Sequence, residues 1–441
     1  MKDLIVIDCI LKEYHGEDTQ YEIPTGVTVI GEEAFYACTE LESLIIPDSV
    51  TKIGARAFSD SGLTAVTLPD SIAEIDDEAF CYSELTEVTI PKSVTYIGRG
   101  VFNCCFNLIS INVDINNFSY TSIDGVVYDK DLSTIIAFPS GRSGSFAIPE
   151  TTTVIGEQAF CGCNKLTGIK MHDGITRIDN DAFKYCPNLS SFHIPPSVQF
   201  IGERAFFECR SLLKAIIPEG VTCIAENTFC MCERLMYVSI PNSVETIEDG
   251  AFLACWSLTS VMIPDSVKSI KNRAFDSCTA LYMLIIPTSV TTIDPSAFSD
   301  CDSLKIIKLH PDDIVLKRRY DTITDLGENI AKGLEMIRTG DYSTKLDRTI
   351  KNVFVTLHYL RTHDDNAAAY IRQNRIQFLT ESIIDNNYRF VKEVTDNTDW
   401  LSIEETDYCI ALAYKHKRST LNTYLMHYRV VHSDYMLEYT E

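Results

Sequence analysis

Ile263-Pro-Asp-Ser-Val-Lys-Ser-Ile-Lys-Asn-Arg-Ala-Phe-Asp-Ser-Cys-Thr-Ala-Leu281 is one copy of a unit that returns every 22 to 23 residues. Its proline recurs at Pro24, Pro47, Pro69 and Pro91, and again at Pro149, Pro195, Pro218, Pro241, Pro264 and Pro287, with His172 in its place once. A fixed period of this length specifies a solenoid, because each unit can bury its apolar face only against its neighbours. In the strand Leu258-Thr-Ser-Val-Met-Ile263, side chains alternate. Leu258, Val261 and Ile263 turn inward, while Ser260 and Met262 face the opposite, concave side. Pro264 ends the ladder because it has no N–H to donate. Val267 and Ile270 return to the core. The segment from Asn272 to Leu281 is predicted as a short helical or 3₁₀ turn on the convex side, with Ala274, Phe275 and Cys278 on its inner face. The phenylalanine recurs from Phe35 to Phe298 and is expected to stack into a spine.

The fold class expected is an α/β repeat solenoid, a curved leucine-rich repeat with parallel strands on its concave face, followed by an all-helical C-terminal domain. Residues 1–22 read as capping strands and 23–310 as eleven repeat units. A break at about 114–147 carries Asp124-Gly125 between apolar alternations, the signature of a β-hairpin. Beyond residue 310 the period changes to that of helices. Ile323, Leu326, Ile330, Leu334 and Ile337 share one face, ended by Gly340; Leu346, Ile350, Val353, Leu357 and Leu360 share another. Ser402 and Glu405 form a capping box opening a helix to about Lys417, with a second over roughly 420–428.

The unit quoted above resembles the BspA-type leucine-rich repeat family, over about residues 11–310 and including Ile123-Asp-Gly-Val-Val-Tyr-Asp-Lys130. The resemblance implies a curved solenoid. Many members of that family look like bacterial surface or secreted proteins that bind host or matrix proteins. Cys409-Ile-Ala-Leu-Ala-Tyr-Lys-His-Lys-Arg-Ser-Thr-Leu-Asn-Thr-Tyr-Leu425 resembles the paired helices of ankyrin-type repeats, without their T-P-L-H start.

The net charge is −24. Residues 311–441 hold 17 Lys and Arg against 21 Asp and Glu, a net of −4, which leaves −20 on the first 310 residues. Such a field repels phosphate, so nucleic acid and anionic membrane are not the expected partners. No run of 18 apolar residues is present. Nine of the sixteen cysteines stand three residues after the repeat phenylalanine, from Cys38 to Cys301. They read as a buried ladder of unpaired thiols, because parallel Cβ vectors on successive rungs do not suit a disulfide. The opening residues Met1 to Leu11 carry no secretory leader pattern. The expected location is therefore cytoplasmic, with cell surface or secretion as the alternative.

No phosphate-binding loop, dinucleotide fingerprint, zinc-protease helix or calcium loop occurs. No enzyme, cofactor or metal is expected. Acidic groups such as Asp76-Asp77-Glu78 read as helix N-terminal caps, and Asn117-Phe-Ser matches the glycosylation acceptor pattern. Functional contrast appears along the concave face. Early rungs present Ala65, Thr67, Glu87, Thr89, Ser110 and Asn112; late rungs present Ile216, Tyr237, Met262, Met283, Ile285 and Ile306, and His193 is read at a concave strand position where it could contact a ligand. A contiguous apolar strip reads either as a protein-binding surface or as a face buried by the helical tail. The expected function is a non-enzymatic protein-binding scaffold in a bacterial cell, the alternative a surface or secreted adhesin.

Overall fold

A computed structural model describes residues 4–313, 323, 325–396 and 401–437. It is a parallel-strand β-solenoid of about 13 turns followed by seven helices. Two turns lack the proline motif and so escaped the count of eleven. One joins strands Ile10–Tyr14 and Gln20–Glu22; the other joins Thr134–Ala137 and Gly144–Ala147. The chain divides into two compact units. One runs to Leu258 and includes Arg273–Thr279; the other takes Thr259–Asn272 and everything from Ala280 on.

In the first unit each rung contributes two strands. The longer one follows the leucine spacing, as in Lys214–Ile216, which pairs in parallel with Tyr237–Ser239 one rung on. The shorter one, such as Phe200–Ile201, belongs to a second sheet, in which it runs parallel to Arg177–Ile178 and that strand to Val154–Ile155. This second sheet was not anticipated, since two residues are too few to show a period. Ile194, Val198, Ile201, Ala205, Phe206, Cys209, Leu212 and Ala215 are all buried between the strands.

The predicted helical turn does not form. Residues 203–208 run as consecutive turns, with Arg204 and Glu208 in left-handed conformation at φ 53° and 57°. The N–H groups that a helix would send four residues back go to the next rung instead. Arg204, Phe206 and Glu208 donate to the carbonyls of Glu226, Thr228 and Cys230, each at 2.9 Å. The same three-bond set recurs in the rungs holding Phe35, Phe58, Phe80, Phe160, Phe183 and Phe229. Left-handed residues cost about 1–2 kcal/mol each, and the inter-rung bonds offset this by pairing buried backbone. With no helix to cap, the acids serve the neighbouring rung: Asp77 Oδ1 accepts from Arg99 N at 2.8 Å.

The phenylalanines stack as expected, Phe35 to Phe102 in one run and Phe160 to Phe275 in another, with centroids 5.0–5.7 Å apart. The ladder thiols have a definite task. Cys186, Cys209, Cys232, Cys255 and Cys278 each donate to the carbonyl of the phenylalanine one rung earlier, at 3.1–3.3 Å. All sixteen cysteines are free thiols.

At the N-terminus Leu4–Ile7 folds back antiparallel on Ile10–Tyr14, which continues the short-strand sheet. In the insertion, Tyr120–Ile123 and Val126–Asp129 form the expected hairpin, its turn made by Asp124 and Gly125 at φ 49° and 72°. The next strand, Thr134–Ala137, pairs in parallel with Val154–Ile155, so the insertion is woven into the sheet. Asn117 is fully buried, its amide donating to the carbonyls of Pro91 and Val94. Burial closes that acceptor pattern to a glycan in the folded chain.

In the second unit Ser260–Met262, Met283–Ile285 and Ile306–Lys308 form a parallel sheet. The helices are α1 (Leu326–Thr339), α2 (Arg348–Thr362), α3 (Asp365–Gln373), α4 (Arg375–Ile384), α5 (Tyr388–Asp396), α6 (Ile403–Lys415) and α7 (Ser419–Leu437). Helix α1 seats on the last rungs. Arg338 Nη1 reaches the carbonyls of Thr288 and Val290, and a Cβ on Gly327 would lie 2.4 Å from the Asp294 carbonyl oxygen. Only glycine permits that approach, and Gly333 plays the same part against the Phe354 ring. Most of the two helical stripes is as expected: Leu326, Ile330, Leu334 and Ile337 are buried on α1, and Ile350, Val353, Leu357 and Leu360 on α2, while Ile323 and Leu346 precede the helices and are half-buried. Gly340 caps α1 with left-handed φ 71°, and Ser402–Glu405 forms the full capping box of α6. Side-chain bonds between successive helix pairs join residues 29 or 30 apart: Asn352–Glu381, His363–Glu393, Arg375–Glu405 and Thr395–Tyr424.

Candidate interaction surface

The long strands bury one face in the core and turn the other outward, and the candidate residues lie on that outward face. In the first unit Ile216 is 39% and Tyr237 49% exposed. The register sets Tyr237 opposite Lys214, whose ammonium lies 5.2 Å from the ring centroid. That distance is within cation–π range. His193 is exposed just beyond the strand Ser191–Phe192 rather than within it.

In the second unit the strip closes progressively. Met262 is 54% exposed and Met283 half-buried, while Ile285 and Ile306, the register partners of these two methionines, are only 9% and 5% exposed. Ile306, Ile307 and Lys308 are all buried, so this strand is covered on both faces. Helical residues come up beside its end. His310, Asp312 and Asp313 share a cavity of about 310 Å³ with Leu357, Leu360 and Arg361 of α2 and Arg389 of α5. For Ile285 and Ile306 the expectation of an open strip is therefore corrected: they belong to a covered face and are not available to a partner.

The early rungs hold a feature that their sequence did not announce. A cleft of about 540 Å³ runs over the strands Ser43–Ile45, Ala65–Thr67 and Glu87–Ile90. Ala65, Thr67 and Thr89 are too small to fill it, and Asp70, Glu87 and Asp114 set carboxylates along it. Lys92 bridges to Asp70 at 2.6 Å, which raises the pKa of the ammonium. The only sequence signal was the run of small residues at alternate positions.

Among the described residues no group of three or more His, Cys, Asp or Glu is arranged to hold a metal ion. Among them also, no helix is long and apolar enough to cross a membrane.

The solenoid architecture is shared with a solved structure. A leucine-rich repeat protein from Eubacterium ventriosum is 24% identical with a TM-score of 0.51, over 61% of this chain and 88% of that one. The pneumococcal vaccine antigen PcpA is 24% identical with a TM-score of 0.39, over 66% and 67%. A leucine rich cell surface protein from Faecalibacterium prausnitzii is 24% identical with a TM-score of 0.34, over 69% and 92%. No curated protein sequence matches the chain. Leucine-rich repeat proteins are in general protein-interaction or surface-associated proteins. The family pattern described as "BspA type Leucine rich repeat region (6 copies)" matches residues 14–135, 136–255 and 200–319, and with rungs built as described above the chain belongs to the BspA-type leucine-rich repeat family.

Proposed function

We propose that this protein is a non-enzymatic scaffold that binds a protein partner on the outward face of its long-strand sheet. The observation that carries the reading is the open pair Ile216 and Tyr237, apolar surface turned outward on two parallel strands. Aromatic residues on such surfaces supply much of the binding energy of protein interfaces. The acid-lined cleft of the early rungs, with a net charge of −20 on the first 310 residues, favours a partner whose apolar anchor is flanked by basic residues. Met262 and Met283 add adaptable apolar surface in the second unit. The helices α2 to α7, paired with a spacing near thirty residues, are proposed to stack in an ankyrin-like manner.

The test is capture of a partner by full-length protein, wild type against the double variant Ile216→Asp/Tyr237→Asp, with Tyr414→Asp as a surface control. The reading requires loss of capture in the double variant alone, at an unchanged melting temperature. Capture that survives the double variant removes the site from these strands.

Family membership favours a second reading, a surface or secreted adhesin with the same binding mode in a different compartment. Sixteen free thiols favour a reducing one. Fractionation of the native cells separates the two: recovery in the cytosol alone excludes the adhesin, and recovery at the surface excludes the intracellular scaffold.

A further inference from the structure

The insertion creates an internal seam in the first unit, where a shortened rung lies between two full ones. An ordinary rung places residues 202–213 between its short and long strands, here Phe200–Ile201 and Lys214–Ile216. The inserted rung has only residues 138–143 between Thr134–Ala137 and Gly144–Ala147. Its outer turn is missing, so the outer turns of the flanking rungs meet across it. Arg99 reaches Glu157 at 3.2 Å, Asn103 donates to Gln158 at 2.7 Å, and Lys165 Nζ donates to the Phe106 carbonyl at 2.8 Å.

Three cysteines outside the ladder converge there. Cys81 and Cys161 directly follow their repeat phenylalanines, whereas Cys104 stands two residues after its own, in left-handed conformation at φ 57°. The Tyr82 N–H donates to the Asn103 carbonyl at 2.9 Å, which sets Cys81 and Cys104 on adjoining turns. The Cys104 sulfur nests against Gly162: a Cβ there would lie 2.4 Å from Sγ. Because Cys104 and Cys161 occupy non-equivalent rung positions, the parallel side-chain vectors that keep the ladder thiols apart do not apply to them. Cys104 also lines a surface cleft of about 320 Å³, with Tyr82, Phe106 and Tyr185 on its walls. The ladder thiols, by contrast, are sealed and already donate to carbonyls.

We propose that this seam is a redox site, in which Cys104 is oxidised by a hydroperoxide and Cys161 resolves it as an intramolecular disulfide. The O–O bond of the hydroperoxide breaks and its terminal oxygen passes to the Cys104 sulfur. This leaves a sulfenic acid and releases an alcohol, or water if the oxidant is hydrogen peroxide. The Cys161 sulfur then displaces that oxygen, which leaves as water with the Cys161 proton. Two thiols have lost two electrons to the peroxide, and the balance closes. The electrostatics support the division of roles. The neighbouring Cys161 and Cys81 thiols draw Cys104 below the ordinary thiol range, while Cys104 and burial push Cys161 well above it. The thiolate is the nucleophile, and Cys104 is the one of the three that lines the cleft, so Cys104 attacks first. The disulfide would clamp the two flanking rungs across the insertion.

The experiment treats folded full-length protein with tert-butyl hydroperoxide at pH 7 and maps thiols by non-reducing peptide mass spectrometry. A Cys104–Cys161 cross-link is expected, with Cys104 modified about tenfold or more faster than any ladder thiol. Cys161→Ser should trap the sulfenic acid on Cys104 as a dimedone adduct, and Cys81→Ser should leave the cross-link in place. Modification of ladder cysteines first, a cross-link to Cys81 instead, or an unmodified Cys104 in protein whose melt is intact would each overturn the proposal. The wild-type map decides even if a variant fails to fold.

Discussion

Replacing Phe206 by alanine should be among the most damaging single changes in the solenoid. The side chain is 0% exposed and its ring lies 5.4 Å from Phe183, 5.4 Å from Phe229 and 4.8 Å from Phe192, with interplanar angles of 6°, 2° and 12°. Truncation of a buried phenylalanine costs about 3–5 kcal/mol in transfer and cavity terms. The lost stacking belongs to the same loss, at roughly 0.5–1.5 kcal/mol per ring pair. Phe206→Leu keeps most of the volume and loses the stacking, so it should cost about 1–2 kcal/mol. Urea titration of full-length protein, followed by far-UV circular dichroism, reads both values, with a constant m-value as the check on comparability. A double-mutant cycle makes the test sharper. Phe206 and Phe229 touch and should couple by about 1 kcal/mol, whereas Phe206 and Phe58 should add to within roughly 0.5 kcal/mol. A cost for Phe206→Ala below about 1 kcal/mol, or equal coupling in the two cycles, would refute the nearest-neighbour account of the core.

Gly327→Ala places a methyl 2.4 Å from the Asp294 carbonyl and should prise α1 from the last rungs at a cost of about 1–3 kcal/mol; faster amide exchange across Leu326–Thr339 is the expected readout. Ser402→Ala removes the side-chain acceptor of the Glu405 N–H and should destabilise the helical segment by about 1 kcal/mol in a urea titration. His358 gives a pH dependence. Burial lowers its pKa from 6.5, so below that pH the unfolded chain takes up a proton that the folded chain refuses. The unfolded state then binds more protons, and stability falls as pH drops through 6.5 toward the folded pKa. His358→Gln should flatten the stability profile in that window, and an unchanged slope would show that another group sets it.

Much of the fold was legible because the repeat prints the same environment many times. Phe206, Cys209 and Ile201 each stand in a column, and the column's chemistry names its place in the core. The outer turn was misread for a physical reason. Ala205, Phe206 and Cys209 have the spacing of a helical face, and a chain of left-handed turns buries that same spacing. What decides between them is the carbonyl of Glu226 or Thr228 one rung away, which no local pattern contains. The candidate site was half legible for a similar reason. Alternation put Ile216 and Tyr237 outward correctly, and the same alternation put Ile285 and Ile306 outward, where the strand's cover comes from other parts of the chain. The trio of Cys81, Cys104 and Cys161 was invisible to spacing, since an inserted rung separates two of its members in sequence while its missing outer turn brings them together.

The central claim is that a protein partner sits on the outward face of the long-strand sheet. Hydroxyl-radical footprinting of full-length protein, with and without its captured partner, tests it most directly, because the labels report on side chains. The account predicts protection of Ile216 and Tyr237, with Ile285 and Ile306 unlabelled in both states. Protection confined to residues of α2 to α7, with Tyr237 labelled equally in both, would contradict it.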